Sequence, residues 1–272
     1  MDNKNSILLI DPTFEPSNAS NNTLLVKIGS KSFSYAIIDD ENKKVNAVYD
    51  EQECEDGAKK LAERLKTDNY LTLPYQEVKI AIHTPNLIAI PNELYNEESL
   101  SANAQFFTES HSNNLYVDEQ VHFGFNTIFA LPKSTDAALT FTEGKRYQEN
   151  AGLLNQAEQL SGPSLILDFA VGVVNVIYLN ENKVVFQQGY EIDNSEEFNY
   201  YLLLMINQLS IAKNSIVYLS GIVHENDENY NCLLKYFNSI AFLTVDNELD
   251  QQVLDDMPSH YYTSLLALHQ CV

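Results

Sequence analysis

Residues 24–43 read LLVKIGSKSFSYAIIDDENK, and residues 165–183 read LILDFAVGVVNVIYLNENK. The second stretch restates the first at an offset of 141 residues, counted from Leu24 to Leu165. In the first, Leu24, Val26 and Ile28 lead through Gly29-Ser30 into Phe33, Tyr35 and Ile37. In the second, Leu165, Leu167 and Phe169 lead through Val171-Gly172 into Val174, Val176 and Tyr178. Alternating apolar positions on either side of a glycine-bearing turn are the pattern of a β-hairpin. Both copies then reach the same tripeptide, Glu41-Asn42-Lys43 and Glu181-Asn182-Lys183, which is expected to make the next turn. A repeated supersecondary unit is read first as a duplicated architecture. The expectation is an α/β chain of two lobes.

The segments around the repeats agree. Strands are expected over 23–29, 32–39 and 43–50, then a helix over 55–66 whose Ala58, Leu61, Ala62 and Leu65 form one apolar stripe. Strands at 78–83 and 87–90 follow, then a helix over 97–107, a strand at 126–131 and a helix over 134–141. In the second half the strands are 164–170, 172–180 and 183–191. Asn194 can cap the next helix, with Glu197 closing a capping box. Phe198, Tyr201, Leu202, Met205 and Leu209 give that helix its core face. A strand at 216–219, a helix over 229–237, a strand at 240–245 and a helix over 261–269 complete the chain. Residues 11–22, DPTFEPSNASNN, are rich in Pro, Ser and Asn. Residues 1–22 are therefore expected to be a mobile leader, before lobes at 23–160 and 161–272.

Composition limits the function. The 272 residues include 38 acidic and 16 basic side chains, a formal charge of −22. Such a field repels nucleic acid and anionic membrane, and favours a protein partner of basic character. The clusters at 39–41, 50–56, 225–228 and 246–250 read as solvated loops and helix starts. Cys54, Cys232 and Cys271 are widely spaced and form neither a disulfide framework nor a zinc motif. Ile7 to Ile10 is too short an apolar run for a signal peptide, and residues 164–179 are broken by Asp168 and Asn175. A cytoplasmic protein is expected.

Catalytic motifs are missing. His83, His111, His122, His224, His260 and His269 have no metal-ligand spacing, and no Walker loop, G-x-G-x-x-G or G-x-S-x-G elbow follows a strand. Cys54 lies among acids, which raise a thiol's pKa and disfavour a nucleophile.

A duplicated unit of three strands, helix, strand, helix and strand resembles the actin-like ATPase superfamily, with its ribonuclease H-like halves around a cleft. The resemblance spans residues 23–270. Phe33 to Asp39, Val78 to Leu94, Asp193 to Leu204 and Tyr218-Leu219-Ser220-Gly221 also resemble an uncharacterised bacterial family of unknown function with that fold. The superfamily resemblance implies a nucleotide gripped by one Asp-x-Gly hairpin from each half. Glycine lets backbone N–H groups approach phosphate, and the acid holds magnesium or its water shell. A glycine-rich turn receives the adenosine.

Only fragments of that grip survive. The first hairpin, Val26-Lys27-Ile28-Gly29-Ser30, keeps the glycine but has Lys27 in the place of the acid. The second, Leu167-Asp168-Phe169-Ala170-Val171-Gly172, keeps Asp168 but has Ala170 where glycine is expected. The adenosine turn, Ser220-Gly221-Ile222, has one glycine instead of a pair. Lys27 is read either as an outward residue on a strand edge, the commoner case, or as a metal-free point charge for phosphate. Asp168 is read as a turn or cap residue or as a metal or phosphate-water contact, and Gly221 as a turn former or a ligand contact.

The expected function is a non-catalytic, degenerate actin-like protein acting as a binding or scaffold module, without cofactor. The alternative is a nucleotide-binding switch or slow ATPase with an altered phosphate site, using ATP and magnesium. In that case Lys27, Gly29, Ser30, Asp168, Gly172, Ser220 and Gly221 would bind the nucleotide. No catalytic or metal-ligating residue is assigned, and a small-metabolite kinase, for which no base stands out, ranks last.

Overall fold

The computed structural model describes residues 5–107, 113–139, 144–245 and 249–272. The first half runs β1 (Ser6–Ile10), β2 (Asn22–Ile28), β3 (Phe33–Asp39), β4 (Lys44–Glu51), α1 (Gly57–Arg64), β5 (Glu77–Ile82) and β6 (Leu87–Pro91). It continues through α2 (Leu100–Asn103), β7 (Asn113–Gln120), β8 (Phe125–Pro132), α3 (Lys133–Ala138), β9 (Lys145–Gln148) and α4 (Ala151–Ala157). The second half runs β10 (Ser164–Ala170), β11 (Val173–Asn180), β12 (Lys183–Glu191), α5 (Ser195–Leu209), β13 (Ile216–Gly221), α6 (Glu228–Leu233), β14 (Ser239–Phe242) and α7 (Thr263–Leu266).

The strand order is β1-β4-β3-β2-β5-β9 in one sheet and β12-β11-β10-β13-β14 in the other. Without β1 the two orders are the same. In each half the antiparallel hairpins need only short turns, and the parallel strand returns over a helix, as a crossover must. Even the irregularities are duplicated. The β3–β4 ladder slips between Ile37 and Ile38, and the β11–β12 ladder between Tyr178 and Leu179, the same place at the 141-residue offset.

The shared tripeptide, by contrast, is not equivalent. Asp39 pairs with Lys44, so the first turn has four residues and contains all of Glu41-Asn42-Lys43. Asn180 pairs with Lys183, so the second turn is Glu181-Asn182 alone, both at positive φ as a tight hairpin turn requires. The second hairpin is thus two residues shorter. From there the copies stay in register at 139, and Glu77–Ile82 aligns with Ile216–Gly221.

The strands are nearly continuous apolar runs because both faces of each sheet are covered. Leu24, Val26 and Ile28 pack outward with Leu61 of α1, and Leu165, Leu167 and Phe169 pack outward with Phe198 and Leu202 of α5. The alternate positions face inward. Leu25, Ala36 and Ala81 meet Leu265, Leu266 and Leu268, whereas Ile166, Ile177 and Leu179 meet Leu153 and Leu154 of α4. α4 and the C-terminal segment pack on each other between the two sheets: Leu153 and Leu154 of α4 face the second sheet and Ala151 the first, while α7 touches β2 and β3 as well as β13.

Caps fix the helix starts. The Asp56 side chain accepts from the Ala58 and Lys59 N–H groups, and Asn194 accepts from the Glu197 N–H at 2.9 Å. Glu197 reaches back as expected, but its bond is to the Asp193 N–H, one residue before the cap.

Other expectations are corrected. Residues 6–21, expected to belong to a leader, are built onto the first sheet: β1 pairs antiparallel with β4, and a 3₁₀ turn at Pro16–Asn21 buries Ala19. The segment 97–107 holds only the four-residue α2 between 3₁₀ turns, because its apolar residues never complete a stripe. The helix over 134–141 is α3, with 140–141 outside the described residues, as are His111 and 246–248. β7, β9 and α4 were not anticipated. β7 is an edge strand of polar composition, and β9 and α4 are too short to show a period. β6, β8 and β7 make a three-stranded sheet inserted between β5 and β9, with no counterpart between β13 and β14.

Candidate functional site

At the ends of β2 and β10 the inward-facing apolar positions give way to Lys27 and Asp168. These residues occupy the same position in the two copies, 141 apart, and they meet. Lys27 Nζ lies 2.8 Å from Asp168 Oδ2, with 12% and 4% of the respective side chains exposed. Lys27 is not an outward edge residue. The sheet faces oppose one another, so equivalent inward residues converge on the axis relating the halves.

Every polar atom of this pair is engaged. Lys27 Nζ also donates to Ser264 Oγ at 2.6 Å, and Ser220 Oγ donates to Asp168 Oδ1 at 2.7 Å. Burial by itself would lower the Lys27 pKa, but the carboxylates of Asp168, Glu149 and Asp50 outweigh it and hold the ammonium above its ordinary value. Asp50 lies two strands from Lys27 in the same row, through Ser34, and burial pushes its carboxyl up to about 6.

Further contacts join the halves at the hairpin tips. Lys31 Nζ donates to Glu191 Oε2 at 2.7 Å, the Val171 N–H donates to Gln52 Oε1 at 3.3 Å, and Asn175 Nδ2 donates to Glu149 Oε1 at 3.2 Å. The Gly29 N–H turns inward to the Ser32 carbonyl at 2.9 Å. Gly172, at φ +74°, makes the second turn beside Lys31. Gly221, at φ +76°, is required by close packing: a Cβ there would lie 2.0 Å from the Phe169 carbonyl oxygen.

Two cavities are lined by residues of both halves, and the pair lines the smaller. One, of about 120 Å³, is lined by Lys27, Asp168, Gly221, Tyr261, Tyr262 and Ser264 among others. The other, of about 280 Å³, includes Ser30, His83, Glu149, Asn175 and Glu191. The sequence candidates are thus brought to one axis but divided: Lys27, Asp168, Ser220 and Gly221 cluster, Ser30 lies in the larger cavity, and Gly29 and Gly172 shape the tips.

His83 and Glu149 were missed by sequence reasoning. His83 Nδ1 lies 2.8 Å from Glu149 Oε2, and that bond holds the imidazole above its ordinary pKa despite burial. The His83 N–H bonds to the Ile28 carbonyl as the Ile222 N–H bonds to the Phe169 carbonyl, so His83 is the counterpart of the residue after Gly221. Burial, with the Glu51 carboxylate nearby, pushes the Cys54 thiol up to about 11, which disfavours the thiolate.

The residues do not fit a magnesium nucleotide gripped in the superfamily's manner. A lysine ammonium sits on Asp168, the acid that the hairpin pattern offers to a metal, and the Gly29 and Val171 N–H groups of the hairpins are already bonded within the protein. The cavity lined by the pair, about 120 Å³, falls well below the roughly 300–1,000 Å³ usual for ligand pockets. Among the described residues no group of three or more His, Cys, Asp or Glu could hold a metal ion. The arrangement can clamp two halves together by charge.

The chain belongs to the family described as protein of unknown function (DUF3822), whose family model matches residues 11–240. Its fold is the actin-like ATPase fold. It is similar to a protein of that fold and of unknown function from Bacteroides thetaiotaomicron, at 17% identity and TM-score 0.72, covering 90% of this chain and all of that one. It is also similar to a structure of the PilM–PilN type IV pilus biogenesis complex, at 13% identity and TM-score 0.66, over 91% of this chain and 97% of the other. No curated protein sequence matches.

Proposed function

We propose that this DUF3822 member is a non-catalytic actin-like protein, a binding or scaffold module whose interlobe cleft is closed by its own charge pair. The observation that carries this reading is the 2.8 Å contact between Lys27 and Asp168 at equivalent positions of the two halves. Two facing carboxylates repel and need an external cation between them. A lysine facing a carboxylate needs none. The ammonium does by covalent tether what a metal ion would do by binding, and it leaves no nucleotide-dependent change for the halves to report.

A module without catalysis acts through what it holds. The net charge of −22 favours a basic protein partner and disfavours nucleic acid and anionic membrane. The similar fold in the PilM–PilN complex supports a role in protein assembly. Among the described residues no helix is long and apolar enough to cross a membrane, and the three cysteines are free and buried. Both fit placement in the cytoplasm.

Thermal unfolding with and without magnesium-ATP tests the reading. A ligand at a hundred times its Kd adds about 2.7 kcal/mol of stability. The expected outcome is no shift at millimolar nucleotide. A clear stabilisation that Lys27→Met abolishes would establish a nucleotide switch instead.

A further inference from the structure

A groove of about 600 Å³ lies away from the interlobe axis, between the inserted three-stranded sheet and the first sheet. It is bordered by β7 and β9, and each of these is the last strand of its sheet. The β7 edge therefore presents backbone N–H and C=O groups outside any ladder, while the Gln148 N–H on the β9 edge bonds to Asp118. A free edge accepts an added strand. Val117 and Val121 stand on the β7 side, 36% and 73% exposed.

The polar lining has an unresolved charge. Asp118 is only 8% exposed, and its Oδ2 has no hydrogen-bond partner. Burial pushes its carboxyl up to about 7, with the Gln148 backbone N–H and the Gln120 side chain opposing this only in part. Glu119 and Glu158 on the rim are exposed, and among the described residues no cation pairs with either. The two basic residues of the groove are committed elsewhere. Lys145 faces Glu77 at 3.5 Å, and Arg146 is turned to Asp136 and to the carbonyls of Gly144 and Leu139. A buried carboxylate oxygen without a partner is costly, and a cation that reached it would remove the cost.

We infer that this groove binds an extended, basic segment of a partner protein, which runs along the free edge of β7 and places a Lys or Arg on Asp118. Backbone bonding to that edge gives the segment its extended form, and the acidic lining selects its charge. Glu119 and Glu158 attract it, while the exposed valines receive an apolar neighbour of the basic residue. The inference rests on the binding-module reading above and names the partner's chemistry. The two are tested separately, since nucleotide titration reports on the interlobe cleft and peptide binding reports on the groove.

Selection of a displayed library of random twelve-residue peptides on the full chain tests it. Enriched peptides should carry Arg or Lys flanked by apolar residues. Binding of the corresponding synthetic peptides, followed by fluorescence anisotropy, should weaken at least tenfold in Asp118→Asn and also in Glu158→Lys, and should fall with added salt. Asp118→Asn should melt at or above the parent temperature, because it removes an uncompensated buried charge. Glu158→Lys, on the exposed rim, provides the reading if that variant fails to fold. No enrichment, enrichment without basic residues, or basic peptides that bind both variants as tightly as the parent would overturn the proposal.

Discussion

The two hairpins began as copies and now differ where they meet. The first has Lys27 and keeps Gly29; the second has Asp168 and keeps Gly172 but not a glycine at 170. Taken alone, each looks like a damaged phosphate grip. Together they form one interaction, because the fold sets equivalent inward residues against each other. A substitution in one copy of a duplicated protein acts on the other copy. Here the pair of Lys27 and Asp168 carries its own cation.

The largest expected effect comes from breaking this pair on one side. Lys27→Ala leaves Asp168 buried without its partner, which costs about 3–5 kcal/mol. Denaturant unfolding should show the loss, and Asp168→Ala should cost a similar amount. The double variant Lys27→Met with Asp168→Leu should recover most of it, because apolar residues can replace a buried pair with little net cost. If the single losses simply added, the two residues would not be coupled.

The asymmetry in glycine requirement gives a smaller effect. Gly221→Ala meets both a left-handed backbone and the Phe169 carbonyl, and should lose about 2–3 kcal/mol. At Gly172 the backbone is equally left-handed but the nearest atom, on the Lys31 side chain, is 3.8 Å away, so Gly172→Ala should lose only about 1 kcal/mol. Equal melting temperatures for the two variants would contradict this distinction.

The third effect concerns the acid that faces Lys27 from its own sheet. Asp50 titrates near 6 when folded, against an ordinary 3.8. Between those values the folded state binds more protons than the unfolded one, so stability falls as pH rises from about 4 to 6. A shift of this size corresponds to roughly 2–3 kcal/mol before solvent screening, and less is expected in practice. Asp50→Asn should flatten that part of the stability–pH curve. A variant whose curve parallels the parent's would rule out Asp50 as the source. Smallest of all is the exposed pair at the hairpin tips: Lys31→Ala should leave the melting temperature unchanged, since solvent and salt screen such contacts.

Much of the fold could be read in advance from particular residues. The alternation of Leu24, Val26 and Ile28 and its return at Leu165, Leu167 and Phe169 specified two equivalent sheets, because strand side chains alternate with a period of two. Asn194 and Glu197 marked the start of α5 through local hydrogen bonding. β7 and β9 gave no such signal. Their residues are polar or few, and only neighbouring strands make them strands. The tripeptide Glu-Asn-Lys misled for a related reason: turn geometry depends on which residues pair across the ladder, and that register differs by two.

The candidate site was legible only as separate parts. Asp168, Gly221 and the missing acid at 27 could be found by matching a hairpin pattern. The partnership of His83 with Glu149, 66 residues apart, left no mark in local spacing.

The sequence by itself determined the duplicated architecture, the buried faces of the strands and the helix starts, all of which arise from contacts among near neighbours. Only the tertiary structure decided that Lys27 turns inward onto Asp168, that α4 and α7 pack between the two sheets, and that one carboxylate oxygen of Asp118 lacks a partner beside the β7 edge. These outcomes depend on how one sheet is placed against another. No interaction within either copy of the repeat encodes that placement, and so the lysine that read as an outward residue is the cation that joins the two halves.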